Sequence, residues 1–456
     1  MNYDLKVGFS RVNITPPLGI KLLGYYHIRY ADGVLDELEV NALAINKNDS
    51  TALIVAVDNA LLPKKVVDLA KDEILKLVNV SKECIFINST HTHTAPALAI
   101  EGECFEIEST EDFTIEIEYT KTLVKKIASA CKMAIDDLTP AKMGHAVSKA
   151  ERISFNRRYL MKDGTTQTNP GVNNPNVVKS IGLLDESVNV LRFTREDNQN
   201  IVVINFGCHP DTIGGNKISG DWPTLTRHVF ERTIENSKCI MLNGIQGDVN
   251  HVNVFPKGGD LNGMINDFDD VTRGYSHAKH MANVVAAAAI SVFEKVEYVD
   301  SNLVNFKEVT IDIPLHKATP EELVEAKYIY QMHLDGRDSE LPYKGMLLTT
   351  MLAGAKRKVT LENAPDTIKV NLTAVKVGDI AFIGFPGEPF TGVGLGVKQA
   401  KGYKMVLPCC ITNDSVGYFP MKDSYAEGGY EANSSHYAPG TAELLIEKAL
   451  EVLKNI

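Results

Sequence analysis

Eight short apolar runs, at 52–57, 84–87, 188–193, 201–206, 239–242, 370–375, 380–385 and 405–407, alternate along the chain with longer amphipathic stretches. The runs are too short for helices and rich in β-branched residues, so they predict strands. The stretches at 65–78, 119–138, 275–295 and 441–453 place apolar residues at three- and four-residue steps and predict helices. A chain that mixes the two buries its apolar faces by layering helices on sheets. The expectation is an α/β fold with mixed, partly antiparallel sheets flanked by helices. Its antiparallel part is read from 370–375 and 380–385, joined through Lys376-Val-Gly-Asp379, because Gly-Asp suits a tight turn.

No internal repeat, low-complexity tract or linker interrupts the 456 residues, which read as one large unit over 1–456. The net charge of -11, without clustered Lys and Arg, excludes a nucleic-acid partner. The start Met1-Asn-Tyr-Asp-Leu-Lys6 lacks a basic segment followed by an apolar run, which leads to the expectation of a cytoplasmic protein. The most apolar helical stretch, 284–293, falls short of the roughly 20 residues that span a bilayer, so no transmembrane segment is expected. Seven cysteines without a CxxC pair are expected to be buried free thiols.

Chemically able side chains stand just beyond several runs. His91 and His93 follow 84–87, His209 follows 201–206, Asp248 follows 239–242, and Glu388 follows 380–385. Strand ends are where α/β folds build sites. An extended His91-Thr-His93 would send both imidazoles to one face, with Ser89, Thr90, Thr92 and Thr94 as hydroxyl partners for the rings. His209 sits in Asn205-Phe-Gly-Cys-His-Pro210, Glu388 on the turn Phe385-Pro-Gly-Glu-Pro389, and Tyr418 and Tyr430 in glycine-rich stretches. Taken singly, each also reads as turn or packing chemistry. The run Gly392-Val-Gly-Leu-Gly396 has the wrong spacing for a nucleotide loop, and the acidic stretch 260–270 lacks the calcium-loop register.

In order, Val7-Gly-Phe-Ser-Arg-Val-Asn-Ile-Thr15, the His-Thr-His-Thr segment, Asn156-Arg157, His209, Ser219-Gly-Asp221, Gln246-Gly-Asp-Val249, Pro386-Gly-Glu388, Tyr418 and Tyr430-Glu-Ala432 resemble the catalytic domain of the neutral, non-lysosomal ceramidase family over nearly the whole chain. The resemblance implies a Zn2+ ion held by His91, His209, Glu388 and Tyr418, with His93, Arg157 and Tyr430 as catalytic or substrate-contacting residues. It also implies a single catalytic domain cleaving the amide bond of a ceramide-like lipid or a smaller N-acyl compound. The family's small Ser-Gly-Pro-Gly is Thr94-Ala-Pro-Ala97 here, and the family's C-terminal β-sandwich is not recognised before Ile456; both features direct the expectation toward a different N-acyl substrate. Competing readings are a zinc esterase or deacetylase, a non-catalytic lipid- or sugar-binding protein on the same scaffold, and a two-metal phosphoesterase drawing on Asp58, Asp221 and Asp248.

Overall fold

The computed structural model describes residues 5–107, 112–257, 265–266, 272–300 and 303–456. Among these, the larger sheet runs in the order Ser237–Asn243, Asn200–Phe206, Ser187–Arg195, Thr139–Lys149, Leu5–Asn13, Glu39–Lys47, Ser50–Val57 and Ile85–Ser89, with Glu297–Val299 added beside Thr139–Lys149. A smaller sheet follows the order Val304–Pro314, Thr367–Val377, Ile380–Gly384 and Met405–Cys409. The expected hairpin is present, with Val377 opposite Ile380 across a two-residue turn and Gly378 at φ 55°.

Side-chain alternation builds four layers. On Glu39–Lys47, Leu43 and Ile45 face the smaller sheet, while Val40, Ala42 and Ala44 face the helices Lys64–Leu77 and Thr114–Asp136. On Asn200–Phe206, Ile201 and Val203 face the smaller sheet, and Val202, Ile204 and Phe206 meet the helices Asp221–Thr233 and Tyr275–Val292. The smaller sheet contributes Val375, Phe382 and Leu407 to the shared inner core and turns Leu372, Ile383 and Val406 toward the helix Thr441–Lys454. Phe86 and Phe382 meet edge to face across the inner core, with centroids 6.3 Å apart, a contact worth about 0.5–1.5 kcal/mol beyond its buried area. Strands covered on both faces carry continuous apolar runs. All eight predicted strands and all four predicted helices are present, with small shifts at their ends.

The larger sheet contains a repetition that the sequence does not display. Its first half comprises the strands Leu5–Asn13, Glu39–Lys47 and Ser50–Val57, the helix Lys64–Leu77, the strand Ile85–Ser89 and the helix Thr114–Asp136. The second repeats this order of principal elements with Thr139–Lys149, Ser187–Arg195, Asn200–Phe206, Asp221–Thr233, Ser237–Asn243 and Tyr275–Val292. Within each half the first three strands are antiparallel and the last two parallel. The halves join at one corner, where Leu5, Lys6 and Val7 pair with Ala141, Pro140 and Thr139. The third and fourth strands of both halves therefore run away from that corner. Their carboxyl ends meet, with Asn243 N donating to Asn88 Oδ1 at 3.0 Å.

A helical pair, Pro320–Leu334 and Gly345–Thr360, is inserted between the first two strands of the smaller sheet and has its own small core around Ile329, Met332 and Leu352. Thr319 starts it, accepting from Glu322 N while Glu322 accepts from Thr319 N, a reciprocal cap that satisfies two otherwise orphaned donors. No helix among the described residues is long and apolar enough to cross a membrane. All seven cysteines are free thiols, six of them buried.

Candidate metal centre

The meeting point of the strand ends is stitched by amide side chains. Asn88 Nδ2 donates to Cys410 O at 2.5 Å, Asn243 Nδ2 to Thr90 O at 2.8 Å, and Asn205 Nδ2 to Pro408 O at 3.1 Å. These bonds tie both halves of the larger sheet to the smaller one. Each amide supplies donors and an acceptor at once, which backbone ends leaving a sheet require.

From this frame the chain leaves Ile85–Ser89 and turns sharply. Thr90 N donates to Val57 O at 2.9 Å, His91 N donates to Asn59 O at 2.8 Å, and His91 adopts a left-handed φ of 71°. His91 and His93 do converge, but through this turn rather than through the extended alternation expected from the sequence. The hydroxyls also differ from expectation. Thr92 and Thr94 both donate to Ser219 O, at 2.6 and 3.1 Å, and Thr90 donates to Asp58, so they anchor the loop instead of orienting the rings. The ring of His91 is fixed by its Nδ1, 2.5 Å from Ala60 O. That contact places the proton on Nδ1 and leaves the Nε2 lone pair free to bind an electrophile.

His209 arrives from the other half, three residues beyond Asn200–Phe206, with its N–H on Val249 O at 3.3 Å. The Nε2 atoms of His91 and His209 lie 3.2 Å apart, as do those of His91 and His93. Glu388 Oε2 lies 3.4 Å from His91 Nε2 and 3.6 Å from His209 Nε2. Glu388 is paired in parallel with Tyr418, strand against strand. Gly247 permits the neighbouring turn to press on this pair, since a Cβ there would come within 2.4 Å of Glu388 O. Arg157 Nη2 donates to Gly247 O at 2.9 Å and to Tyr418 OH at 3.2 Å, and the Tyr418 ring meets that of Tyr430 at 5.7 Å. The structure thus gathers His91, His93, His209, Glu388, Tyr418, Arg157 and Tyr430 around one point.

Electrostatics favour a cation there. Burial holds His93 and His209 well below the ordinary imidazole range, reinforced for His93 by neighbouring His91 and for His209 by Arg157. Burial opposes the charging of His91 too, but the Glu388 carboxylate outweighs it and raises that pKa. Burial also pushes the Tyr418 phenol well up, with Glu388 adding to the shift. Among the described residues, His209 Nδ1, His93 Nδ1 and Glu388 Oε2 find no hydrogen-bond partner. Lone pairs 3.2 Å apart repel unless a proton or a cation lies between them. Two nitrogens bound tetrahedrally to one zinc at about 2.0–2.1 Å would stand roughly 3.3–3.4 Å apart, so the residues fit such an ion. Among the described residues, the one group of three or more His, Cys, Asp or Glu side chains arranged to hold a metal is His91, His93 and His209. His93 therefore stands closer to the ligand set than its expected role in proton transfer required.

The aspartates considered for a second metal are committed elsewhere. Asp58 pairs with Arg227 at 2.6 Å, Asp221 accepts from Ile213 N and Trp222 N, and Asp248 accepts from Thr391 N and Oγ1 at 2.7 Å. The glycines at 392–396 lie in the helix Thr391–Val397, where Gly394 packs on Ile245. The acidic stretch 260–270 lies outside the described residues, apart from the backbone at Ile265–Asn266. A groove of about 630 Å³ lined by Lys47, Thr51, Val80 and Phe306 is at the opposite end of Ser50–Val57 from His91. Sequence reasoning missed Glu431 and the carbonyl of Ala60. Glu431 stood beside Tyr430 in a recognised segment, whereas a backbone acceptor leaves no trace in residue identity.

Solved ceramidase structures share the fold. The crystal structure of neutral ceramidase from Pseudomonas aeruginosa superposes with a TM-score of 0.72 at 15% identity, covering 99% of this chain and 75% of that one. A structure described as ceramidase complexed with C2 gives a TM-score of 0.72 at 15% identity, covering 99% and 76%. Comparison with curated protein sequences finds no match. The family model described as neutral/alkaline non-lysosomal ceramidase, N-terminal, matches residues 5–291, the span that contains both sheet halves and all three clustered histidines. By that match, which covers more than half its length, the chain belongs to the neutral/alkaline non-lysosomal ceramidase family.

Proposed function

We propose that the chain is a zinc-dependent amidohydrolase that cleaves an N-acyl bond, with a ceramide-like lipid or a smaller N-acyl compound as substrate. The observation that carries this reading is the clustering of the His91, His93 and His209 side chains, with Glu388 Oε2 beside the Nε2 atoms of His91 and His209. We assign the ion to His91, His209, Glu388 and Tyr418. Three of these are the more enclosed groups, and Glu388 approaches the two histidines among them. Zinc bound there would polarise the scissile carbonyl and activate a water at neutral pH.

The chain's own groups do the rest. Arg157, buried and held by Gly247 O, directs its guanidinium at the Tyr418 side of the site, where with Tyr430 it can hydrogen-bond the carbonyl oxygen as charge develops on it. His93 is half-buried at the solvent side and, being held neutral by burial, can accept a proton and pass it to the departing amine. His91 keeps its ring orientation through Ala60 O, so its Nε2 stays directed inward.

Metal analysis and hydrolysis of a matched amide and ester panel test the reading. Purified protein should hold about one zinc, cleave the amide, and lose both properties in His91→Ala and Glu388→Ala. Metal-free protein with unchanged turnover in both variants would refute it.

A further inference from the structure

The segment between Leu23 and Arg29 crosses the solvent side of the histidine cluster. Arg29 Nη2 donates to Leu23 O at 2.5 Å and to His93 O at 2.6 Å, which pins the segment to the histidine loop. Gly24 lies against His93 so closely that a Cβ would come within 2.6 Å of the His93 Cβ. The next two residues then diverge. Tyr25 turns to the His93 ring, with centroids 6.4 Å apart, and its hydroxyl accepts from Arg273 Nε at 2.6 Å. Tyr26 reaches the other way, its hydroxyl 3.0 Å from that of Tyr430 and the two rings nearly perpendicular at 6.4 Å. Tyr430 belongs to the helix Tyr430–Ser434, whereas Tyr26 lies in the first half of the larger sheet's chain, so the hydroxyl pair spans the mouth of the site.

Exposure follows the same direction. His209 is 1% exposed, Tyr430 and His93 are half-buried, and Tyr26 is 44% exposed. Moving outward from the cluster, a substrate would meet Tyr418, Tyr430 and then Tyr26, a row of rings in successive edge contact whose outer two are also joined through their hydroxyls. Such a row suits the apolar part of an N-acyl substrate rather than a charged one.

We propose that Tyr26 is a specificity-determining residue, a wall across the mouth that sets how long an acyl chain the site admits; this rests on the amidohydrolase reading above. A short acyl group fits behind the wall. A long one must break the hydroxyl pair and displace the ring before its carbonyl can reach the cluster, so discrimination against length comes from that displacement. Removing the ring abolishes the penalty, while removing the hydroxyl alone lowers it only in part.

The test uses the full chain as wild type, Tyr26→Ala and Tyr26→Phe, with N-acyl amides of one chromogenic amine carrying two, eight or sixteen acyl carbons. Tyr26→Ala should raise the ratio of kcat/KM for the longest over the shortest chain by about tenfold or more, and Tyr26→Phe by less than about threefold. An unchanged ratio in Tyr26→Ala overturns the proposal. Because Tyr26 is exposed and lies outside the core clusters, melting temperature and metal content should match wild type in both variants. Calorimetric binding of acetate and palmitate reads the same wall without turnover. If wild type cleaves none of the amides, the hydrolase reading fails, and the palmitate-to-acetate dissociation-constant ratio still decides on Tyr26. A shift of about tenfold in Tyr26→Ala supports the wall and no shift overturns it.

Discussion

Arg157 Nε meets Glu431 Oε1 as an ion pair at 2.6 Å, and Glu431 is entirely buried. The second carboxylate oxygen accepts from Thr168 Oγ1 at 3.0 Å, so the guanidinium is gripped behind while Nη2 reaches Tyr418 in front. Glu431→Gln removes the carboxylate paired directly with that buried cation, and breaking a buried pair from one side costs about 3–5 kcal/mol. Urea unfolding should show a loss of that order, accompanied by a fall in kcat. A loss below about 1 kcal/mol would mean that Arg157 is held by its other contacts.

Gly24 combines a φ of +106° with its close approach to His93. Gly24→Ala must push the His93 backbone or ring aside. A displacement of about 1 Å at a reacting group costs roughly 100-fold in rate, so kcat/KM should fall by that order while zinc content stays near wild type, because His91, His209 and Glu388 are untouched. Activity within about twofold of wild type would show that the loop yields instead.

Glu39 links acid stability to the support behind the centre. Burial raises its pKa, but His228, Arg227 and Arg11 together overcome burial and bring it from 4.5 down to about 2. A depressed carboxylate stabilises the fold above its unfolded value and loses that contribution as pH falls through the folded one. The shift corresponds to about 3 kcal/mol, lost between about pH 4.5 and 2. Denaturation curves across that window should steepen in wild type and flatten in Glu39→Gln. Parallel curves would place the acid sensitivity elsewhere.

Zinc should stabilise the folded chain by mass action. At free metal about 100-fold above its dissociation constant the gain is roughly 2.7 kcal/mol, read as a shift in the urea midpoint and removed by a chelator. His209→Ala should abolish the increment. An equal increment in that variant would locate the ion away from the cluster.

Legibility in the sequence followed burial. Asn200–Phe206 and Ser50–Val57 are covered on both faces and are dominated by apolar residues, so both were expected as strands. Leu5–Asn13 interleaves Lys6, Ser10 and Arg11 with its apolar residues, Ser10 Oγ donating to Ala130 O and Arg11 pairing with Glu231, and it gave no such run. The helix Asp221–Thr233 escaped for a different reason. Part of its inner face is polar, with Thr224 and Arg227 on Asp58, which erases the apolar period. His91, His209 and Glu388 were legible as groups at strand ends, yet their meeting depends on two halves that share an order of elements and no recognisable sequence period. The left-handed turn at His91 has no residue signature of its own.

The repeated halves have divided the labour of one site by exchanging roles. In the first, the loop after the fourth strand carries His91, and the loop after the third supplies the carbonyls of Asn59 and Ala60 that hold it. In the second, the loop after the third strand carries His209, and the segment after the fourth supplies the carbonyl of Val249 beneath it. Imidazole and supporting carbonyl have changed places between the halves. Neither half is a half-sized version of the centre, because the loop that carries the imidazole in one half corresponds to the loop that carries the supporting carbonyl in the other.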